Sequence, residues 1–329
     1  MSERGAAPTQ TPSSTRSKPA DLEGLYAAML RIRMFEDAVH LLFLRNEIEG
    51  TTHLCQGQEA VNVGVSNALE PGDTVTATYR GHGACLAMGA DSERLFAELL
   101  GRDTGLNGGR GGSMNVVDLE RGVLGCFGIV GGSIGAGTGA ALAAQLRGDG
   151  TAAVAFFGDG AVNQAYFHEC LNFAGVRRLP ILYACENNLY GEWTPMGKVT
   201  AGGRILPRAE AYAIHAVQVD GNDVLAVREA AAEALARARA GDGPTLVEFL
   251  TYRHKGHSRV DPGKYRPKEE VEAWLQRDPL PRLAERLEPE AVKRIGDRVE
   301  REIEAALDAA RAAAFPDPNQ PASATKEPR

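Results

Sequence analysis

An α/β fold, a parallel sheet flanked by helices, is what three features of this sequence predict. Short apolar runs of β-type composition alternate with segments whose apolar residues recur every three or four positions. One strand–helix–strand unit stands complete over roughly thirty residues, the length of a βαβ crossover. It has an apolar run at 152–157, a helical pattern through Phe167, Leu171 and Ala174, and a second apolar run at 181–185 behind Pro180. Further runs at 217–219 and 246–250, with a helix over 223–239 between them, continue the alternation toward the C-terminus. Such crossovers are right-handed and leave their two strands parallel.

In chain order, residues 1–20 are rich in Ser, Thr, Pro and Ala and read as a disordered tail. Glu3 and the prolines set the tail apart from a transit peptide, and it has no apolar block long enough for a signal peptide or a membrane span. Asp21 caps a long amphipathic helix carrying Leu25, Met29, Ile32, Phe35, Val39 and Leu42. The segment EGTTHLCQGQEA, with His53, leads to a second helix over 60–69. Glu70-Pro71-Gly72-Asp73 forms a turn, and residues 74–79 alternate like a strand that ends in Tyr79-Arg80-Gly81-His82-Gly83. Glycine is dense from 101 to 139. Its second block, CFGIVGGSIGAGTG, has no clear β-run before it and leads into a small-residue helix over 136–146, so these glycines serve close packing and backbone contact with a ligand. The last amphipathic helix, within 281–315, places Val292, Ile295, Val299, Ile303, Leu307 and Ala310 on a packing face. Residues 316–329 are a polar tail, which leaves 21–315 as the folded body.

Composition narrows the class. At 329 residues the chain has room for a sizeable core. A net charge of -7 without a basic cluster excludes a nucleic-acid partner, and the hydropathy excludes a membrane one. Cys55, Cys85, Cys126, Cys170 and Cys185 stand singly in apolar surroundings with no CxxC pair, as reduced, buried thiols of a cytoplasmic protein do.

The chemistry centres on 156–190. The first strand of the crossover breaks at Gly158-Asp159-Gly160 and the second ends in Glu186-Asn187-Asn188. Parallel neighbouring strands bring those two ends to one edge of the sheet, where Asp159 and Asn188 face a common crevice. A carboxylate and an amide oxygen suit a hard cation such as magnesium, whose remaining positions phosphate oxygens and water fill. The glycines allow close backbone approach, and a helix expected to start near Ala161 aims its unpaired N–H groups at the same place. Arg80, at a strand end beside glycines, has the fork geometry for phosphate.

G-D-G followed after about twenty-five residues by N-N is similar to the thiamine-diphosphate motif. GDGAVNQ together with CENNLYG resembles the alpha subunit of the thiamine-diphosphate-dependent decarboxylating component of 2-oxo acid dehydrogenase complexes. The resemblance runs from residue 22 to residue 274 and includes QGQEA, YRGHG, NGGRGGSMN, FGIVGG and GHSRVDP. It implies the thiamine-diphosphate-binding fold, with Asp159, Asn188 and the Tyr190 carbonyl on magnesium and with Tyr79, Arg80, Gly160 and Ala161 on the diphosphate. It further implies that Gly128 and Val130 hold the aminopyrimidine, Gly128 through its backbone and Val130 as a wedge. His53 and His257 would line the reacting end. His254, outside the motif, reads as structural, and Ser258 matches a serine that is phosphorylated in mitochondrial relatives. Asn115 stands where the family has histidine, and Glu192 where a small or apolar residue is common.

The family reading also implies partners. Only the diphosphate-binding half of the site is visible here, so a beta subunit in an α2β2 heterotetramer would supply the glutamate that engages the aminopyrimidine. A lipoyl acyltransferase would accept the acyl group from a 2-oxo acid. Pyruvate is the first expectation, with acetoin-cleaving and branched-chain relatives as alternatives. From other classes come a non-catalytic diphosphate-binding subunit and a nucleotide-dependent oxidoreductase, the latter without a strand-led fingerprint or a ribose-binding acid.

Overall fold

The computed structural model describes residues 20–319. The two expected tails lie outside the described residues apart from residue 20 and residues 316–319. The strands are β1 (Thr74–Thr78), β2 (Val123–Phe127), β3 (Ala153–Gly158), β4 (Ile181–Asn187), β5 (Tyr190–Gly191), β6 (Thr194–Pro195), β7 (His215–Asp220) and β8 (Thr245–Leu250). The helices are α1 (Leu22–Leu44), α2 (Glu59–Asn67), α3 (His82–Ala87), α4 (Ser92–Leu99), α5 (Gly132–Arg147) and α6 (Ala165–Arg177). They continue with α7 (Met196–Val199), α8 (Leu206–Glu210), α9 (Val224–Arg239), α10 (Lys268–Leu275), α11 (Pro279–Ala284) and α12 (Pro289–Ala312). Among the described residues no helix is long and apolar enough to cross a membrane.

Six strands form one sheet in the order β2-β1-β3-β4-β8-β7, each neighbouring pair parallel. Its central strands are apolar on both faces, as a parallel sheet covered by helices on both sides requires. Val154 and Phe156 of β3 pack into the core shared with α1, α2, α9 and α12. Ala153, Ala155 and Phe157 of the same strand face α5, α6 and α8. Asp21 caps α1 by accepting from the Gly24 N–H at 2.9 Å.

The chain leaves β1 for β2 on one side and returns through α5 to β3 on the other. That reversal is a topological switch point, and ligands of open parallel sheets bind outside the carboxyl ends of the strands flanking it.

Several boundaries differ from the sequence reading. β2 does precede the second glycine block. It is an edge strand paired with β1 alone, and Gly125 at its middle interrupts the apolar run that marks a strand. Because β1 lies between β2 and β3, this crossover is still not the adjacent βαβ unit of a dinucleotide site. The small-residue helix starts at Gly132 rather than 136. The helix expected near Ala161 begins at Ala165, after a 3-10 turn over Asp159–Asn163, so no α-helical N-terminus abuts Asp159. Cys170 is only partly buried, whereas the other cysteines are buried as expected.

The first glycine block serves the fold rather than a ligand. Buried Glu98 of α4 accepts main-chain N–H groups of Asn107 at 2.6 Å, Gly109 at 2.9 Å, Gly111 at 2.6 Å and Gly112 at 3.1 Å. The loop wraps this carboxylate closely enough that a Cβ on Gly109, whose φ is +70°, would lie 2.4 Å from the Arg102 carbonyl oxygen.

Candidate active site

A cavity of about 500 Å³ opens at the carboxyl ends of β1, β2, β3, β4 and β8. His53, Tyr79, Arg80, Gly128, Val130, Asp159, Gly160, Ala161, Asn188, Tyr190 and His257, the residues singled out in the sequence, all line it. β1 delivers Tyr79 and Arg80, β2 the 128–131 loop, β3 Gly158 to Ala161, β4 Asn188 and β8 the segment with His257. His82 is not in the cavity. Its buried ring sits between Glu36 Oε2 at 3.2 Å and Ser113 Oγ at 3.0 Å. The backbone N–H of His254 donates to the Gln56 carbonyl, and Ser258 lines a smaller neighbouring cavity of about 180 Å³.

Asp159 and Asn188 are 1 % and 7 % exposed. Asp159 accepts the Asn188 backbone N–H, yet Asp159 Oδ2 and Asn188 Oδ1 are buried with no hydrogen-bond partner among the described residues. An unpaired buried acceptor costs about 1–3 kcal/mol, and more when charged. Two such oxygens in one cavity are what a hard divalent cation would satisfy together. Burial pushes the Asp159 carboxyl up to about 6, against the pull of Arg253 and of the backbone N–H groups. Among the described residues no cluster of three or more His, Cys, Asp or Glu side chains forms a metal site, so a cation here relies on amide and carbonyl oxygens. Tyr190 offers one. Met196 N–H bonds the Leu189 carbonyl, so the next register pair, Tyr190 with Pro195, turns its backbone polar groups away from the β5–β6 ladder.

Two guanidinium groups reach the cavity. Arg80 donates to the Leu54 carbonyl and, at 2.9 Å, to the His257 carbonyl, which ties together the loops bearing His53 and His257. Arg253 is 1 % exposed and donates to the Glu192 carbonyl at 2.8 Å, while its Nε and Nη1 have no partner among the described residues. Burial, then the nearby Arg80, lowers its pKa to about 10, which still leaves it charged at neutral pH. Two buried guanidiniums, that of Arg253 with unused donors, favour an anion with several oxygens.

At the other end the rings of His53, Tyr79 and His257 cluster. Centroids are 4.5 Å apart for His53 and Tyr79, 4.9 Å for His53 and His257 and 5.8 Å for Tyr79 and His257. Burial first and Arg80 second lower His53 to about 3 and His257 to about 4. Both imidazoles are therefore neutral at pH 7 and able to accept or donate a hydrogen bond.

Residues 27–319 match the family described as Dehydrogenase E1 component. The chain belongs to this family. The E1 component match extends past the sequence resemblance, which ended at residue 274, through α12. Among its relatives is the alpha subunit of acetoin:2,6-dichlorophenolindophenol oxidoreductase of Bacillus subtilis (strain 168), 48% identical over 78% of this chain and 77% of that protein. Pyruvate dehydrogenase E1 component subunit alpha of Rhizobium meliloti (strain 1021) is 43% identical over 82% of this chain and 78% of its own length. The corresponding subunit of Zymomonas mobilis is 41% identical over 90% of this chain and 87% of its own length. E1 components of this family depend on thiamine diphosphate, and the cavity fits it on this chain's own terms. Unpaired oxygens for a cation, unpaired guanidinium donors for phosphate oxygens and a neutral imidazole pair share one space.

Sequence reasoning on this E1 component missed Arg253, Glu186 and Gln58, all of which line the cavity. A signal was present for two of them. Glu186 is the penultimate residue of β4 and Arg253 lies just beyond β8, and carboxyl ends of parallel strands face the ligand. Gln58 belongs to a helix entrance whose approach to β4 only the packing reveals.

Proposed function

We propose that this chain is the alpha subunit of a thiamine-diphosphate-dependent 2-oxo acid dehydrogenase. It acts on pyruvate in the cytoplasm and passes the acyl group to a lipoyl group of an acyltransferase. The observation that supports it most is the pair of buried, unpaired oxygens, Asp159 Oδ2 and Asn188 Oδ1, in one cavity with two guanidiniums. In this reading Asp159, Asn188 and the Tyr190 carbonyl hold magnesium, and Tyr79, Arg80, Arg253, Gly160 and Ala161 receive the diphosphate. Gly128 and Val130 hold the aminopyrimidine. Bound thiamine diphosphate supplies the electron sink for loss of carbon dioxide. The protein's part is to orient it, and to offer His53 and His257 as neutral hydrogen-bonding groups at the reacting end.

A beta subunit completing the site as α2β2 is supported by the apolar rim. Ile129 is 70% exposed and Val130 41% exposed at the mouth of the cavity, and Tyr166, Phe173 and Val176 stand exposed on α6 nearby in sequence to the GDG turn. Exposed apolar side chains gathered in this way mark an interaction surface. Identity to the Bacillus subtilis protein favours acetoin as the second reading. Lipoamide reduction by the reconstituted alpha–beta pair, compared for pyruvate, acetoin and 3-methyl-2-oxobutanoate, tests the choice. Pyruvate is expected to react fastest, and a preference for acetoin reverses the assignment. Turnover that survives His257→Ala would instead speak for a non-catalytic role of this chain.

A further inference from the structure

The cavity of about 180 Å³ beside the active site is a separate space with an electrostatic character of its own. His40 of α1 lines it together with His254, Lys255, Arg259 and Arg266 of the segment that follows β8. Lys255, Arg259 and Arg266 are positively charged at neutral pH, and the one carboxylate in the lining is Asp261. Both oxygens of that carboxylate serve its own loop. Oδ1 accepts the Gly263 N–H at 2.8 Å, and Oδ2 accepts the His257 N–H at 2.6 Å and the Tyr265 hydroxyl at 2.9 Å. Asp278, 3.8 Å from His254 Nδ1, is itself paired with Arg33 at 2.9 Å. On the other side of the ledger, His40 Nδ1, His254 Nε2, Arg259 Nε and Arg266 Nε are shut off from water with no hydrogen-bond partner among the described residues. Arg266, 9 % exposed, donates Nη1 to the Arg253 carbonyl and leaves Nε open. A buried donor without an acceptor costs about 1–3 kcal/mol, and an anion with several oxygens satisfies a group of them at once.

The place of this cavity gives it a consequence for the site next door. Gly256 and Ser258, on either side of His257 in the chain, both line it, as does Leu54, the neighbour of His53 whose carbonyl accepts from Arg80. An ion held there touches α1 and the backbone on both sides of His257 together. We propose that this cavity binds a small tetrahedral oxyanion of the phosphate class, and that its occupation braces the loop carrying His257. The volume is several times the share of a single water, about 30 Å³, so one such ion fits with little to spare. The proposal goes beyond the assignment of cofactor and substrate, and it does not depend on Asp159 and Asn188 as cation ligands.

The test uses the assembled alpha–beta complex saturated with thiamine diphosphate and magnesium, which keeps phosphate out of the larger cavity. Inorganic phosphate is titrated by calorimetry at constant ionic strength, with chloride as the balancing anion. One phosphate per alpha subunit is expected to bind the wild type. Arg259→Gln and Lys255→Gln are each expected to weaken it by about tenfold or more, the worth of one hydrogen bond to a charged group. Arg259→Lys keeps the charge but loses the fork, and should fall between. Lys255 is exposed, so its variant covers the case in which Arg259→Gln does not assemble. Hydrogen exchange reads the brace. The Arg259 N–H bonds the Thr52 carbonyl at 3.0 Å and the Asp261 N–H bonds the Ser258 carbonyl at 3.1 Å, so these amides exchange only when the loop opens. Phosphate at about ten times its Kd should slow them about tenfold in the wild type, and only about twofold in either Gln variant at the same concentration. A wild type that binds no phosphate, or binding that both Gln variants leave unchanged, overturns the site. Binding that needs Lys255 and Arg259 but does not slow exchange keeps the site and overturns the bracing.

Discussion

Removing the charge of Asp159 should stabilise the metal-free protein and abolish its response to metal. The side chain is 1 % exposed, and burial raises its pKa from 3.8 to about 6. Two pKa units at about 1.4 kcal/mol each make the ionised form about 3 kcal/mol costlier in the folded than in the unfolded chain at neutral pH. The sign follows from the shift: a folded-state pKa above the unfolded one gives stability that is complete below pH 3.8 and is lost as pH rises through about 6. Asp159→Asn keeps an acceptor for the Asn188 N–H and removes the charge, so in chelator at pH 7.5 it should melt up to about 5 °C higher than wild type. The difference should close as the pH falls from 6 to 4. With magnesium and thiamine diphosphate at about a thousand times their Kd, wild type should gain about 4.1 kcal/mol and the variant almost none, which reverses their order. Differential scanning fluorimetry of the four combinations reads this directly. A variant that melts no higher in chelator and responds to magnesium like wild type would refute the reasoning at both steps.

Arg253→Lys should weaken thiamine diphosphate binding about tenfold by calorimetry, because an ammonium cannot use the two guanidinium donors left open beside the cavity. Glu98→Gln should cost about 3 kcal/mol in a denaturant titration, since one amide oxygen replaces a carboxylate that accepts four main-chain N–H groups, and the new NH2 opposes some of them. His53 and His257, held near 3 and 4, stay neutral in the fold while an unfolded chain protonates them near pH 6.5. Stability should therefore fall as pH drops from 6.5 toward 4, and His53→Phe should flatten that part of a melting-temperature profile.

The strand–helix–strand unit around GDG and ENN was legible because both of its strands are buried on two faces and so read as unbroken apolar runs. Motif spacing at strand ends then pointed to residues that line a single cavity, since in a parallel sheet every carboxyl end opens on the same edge. β2 escaped notice because an edge strand with a central glycine lacks that run, and the start of α6 was misplaced because a 3-10 turn carries no 3.6-residue period.

The glycines of NGGRGG stood in the sequence only as a family resemblance; in the fold N–H groups of this loop converge on Glu98 of α4. Asn188 and Gln58 are separated by 130 residues in the chain and meet only because the start of α2 lies against the end of β4. The sequence by itself determined five of the six strands of the sheet, its chemistry-bearing ends and the family. Which buried oxygens stay unpaired the tertiary structure alone decided. Hydrogen-bond direction depends on partners that burial brings together, and no local pattern of residues encodes it.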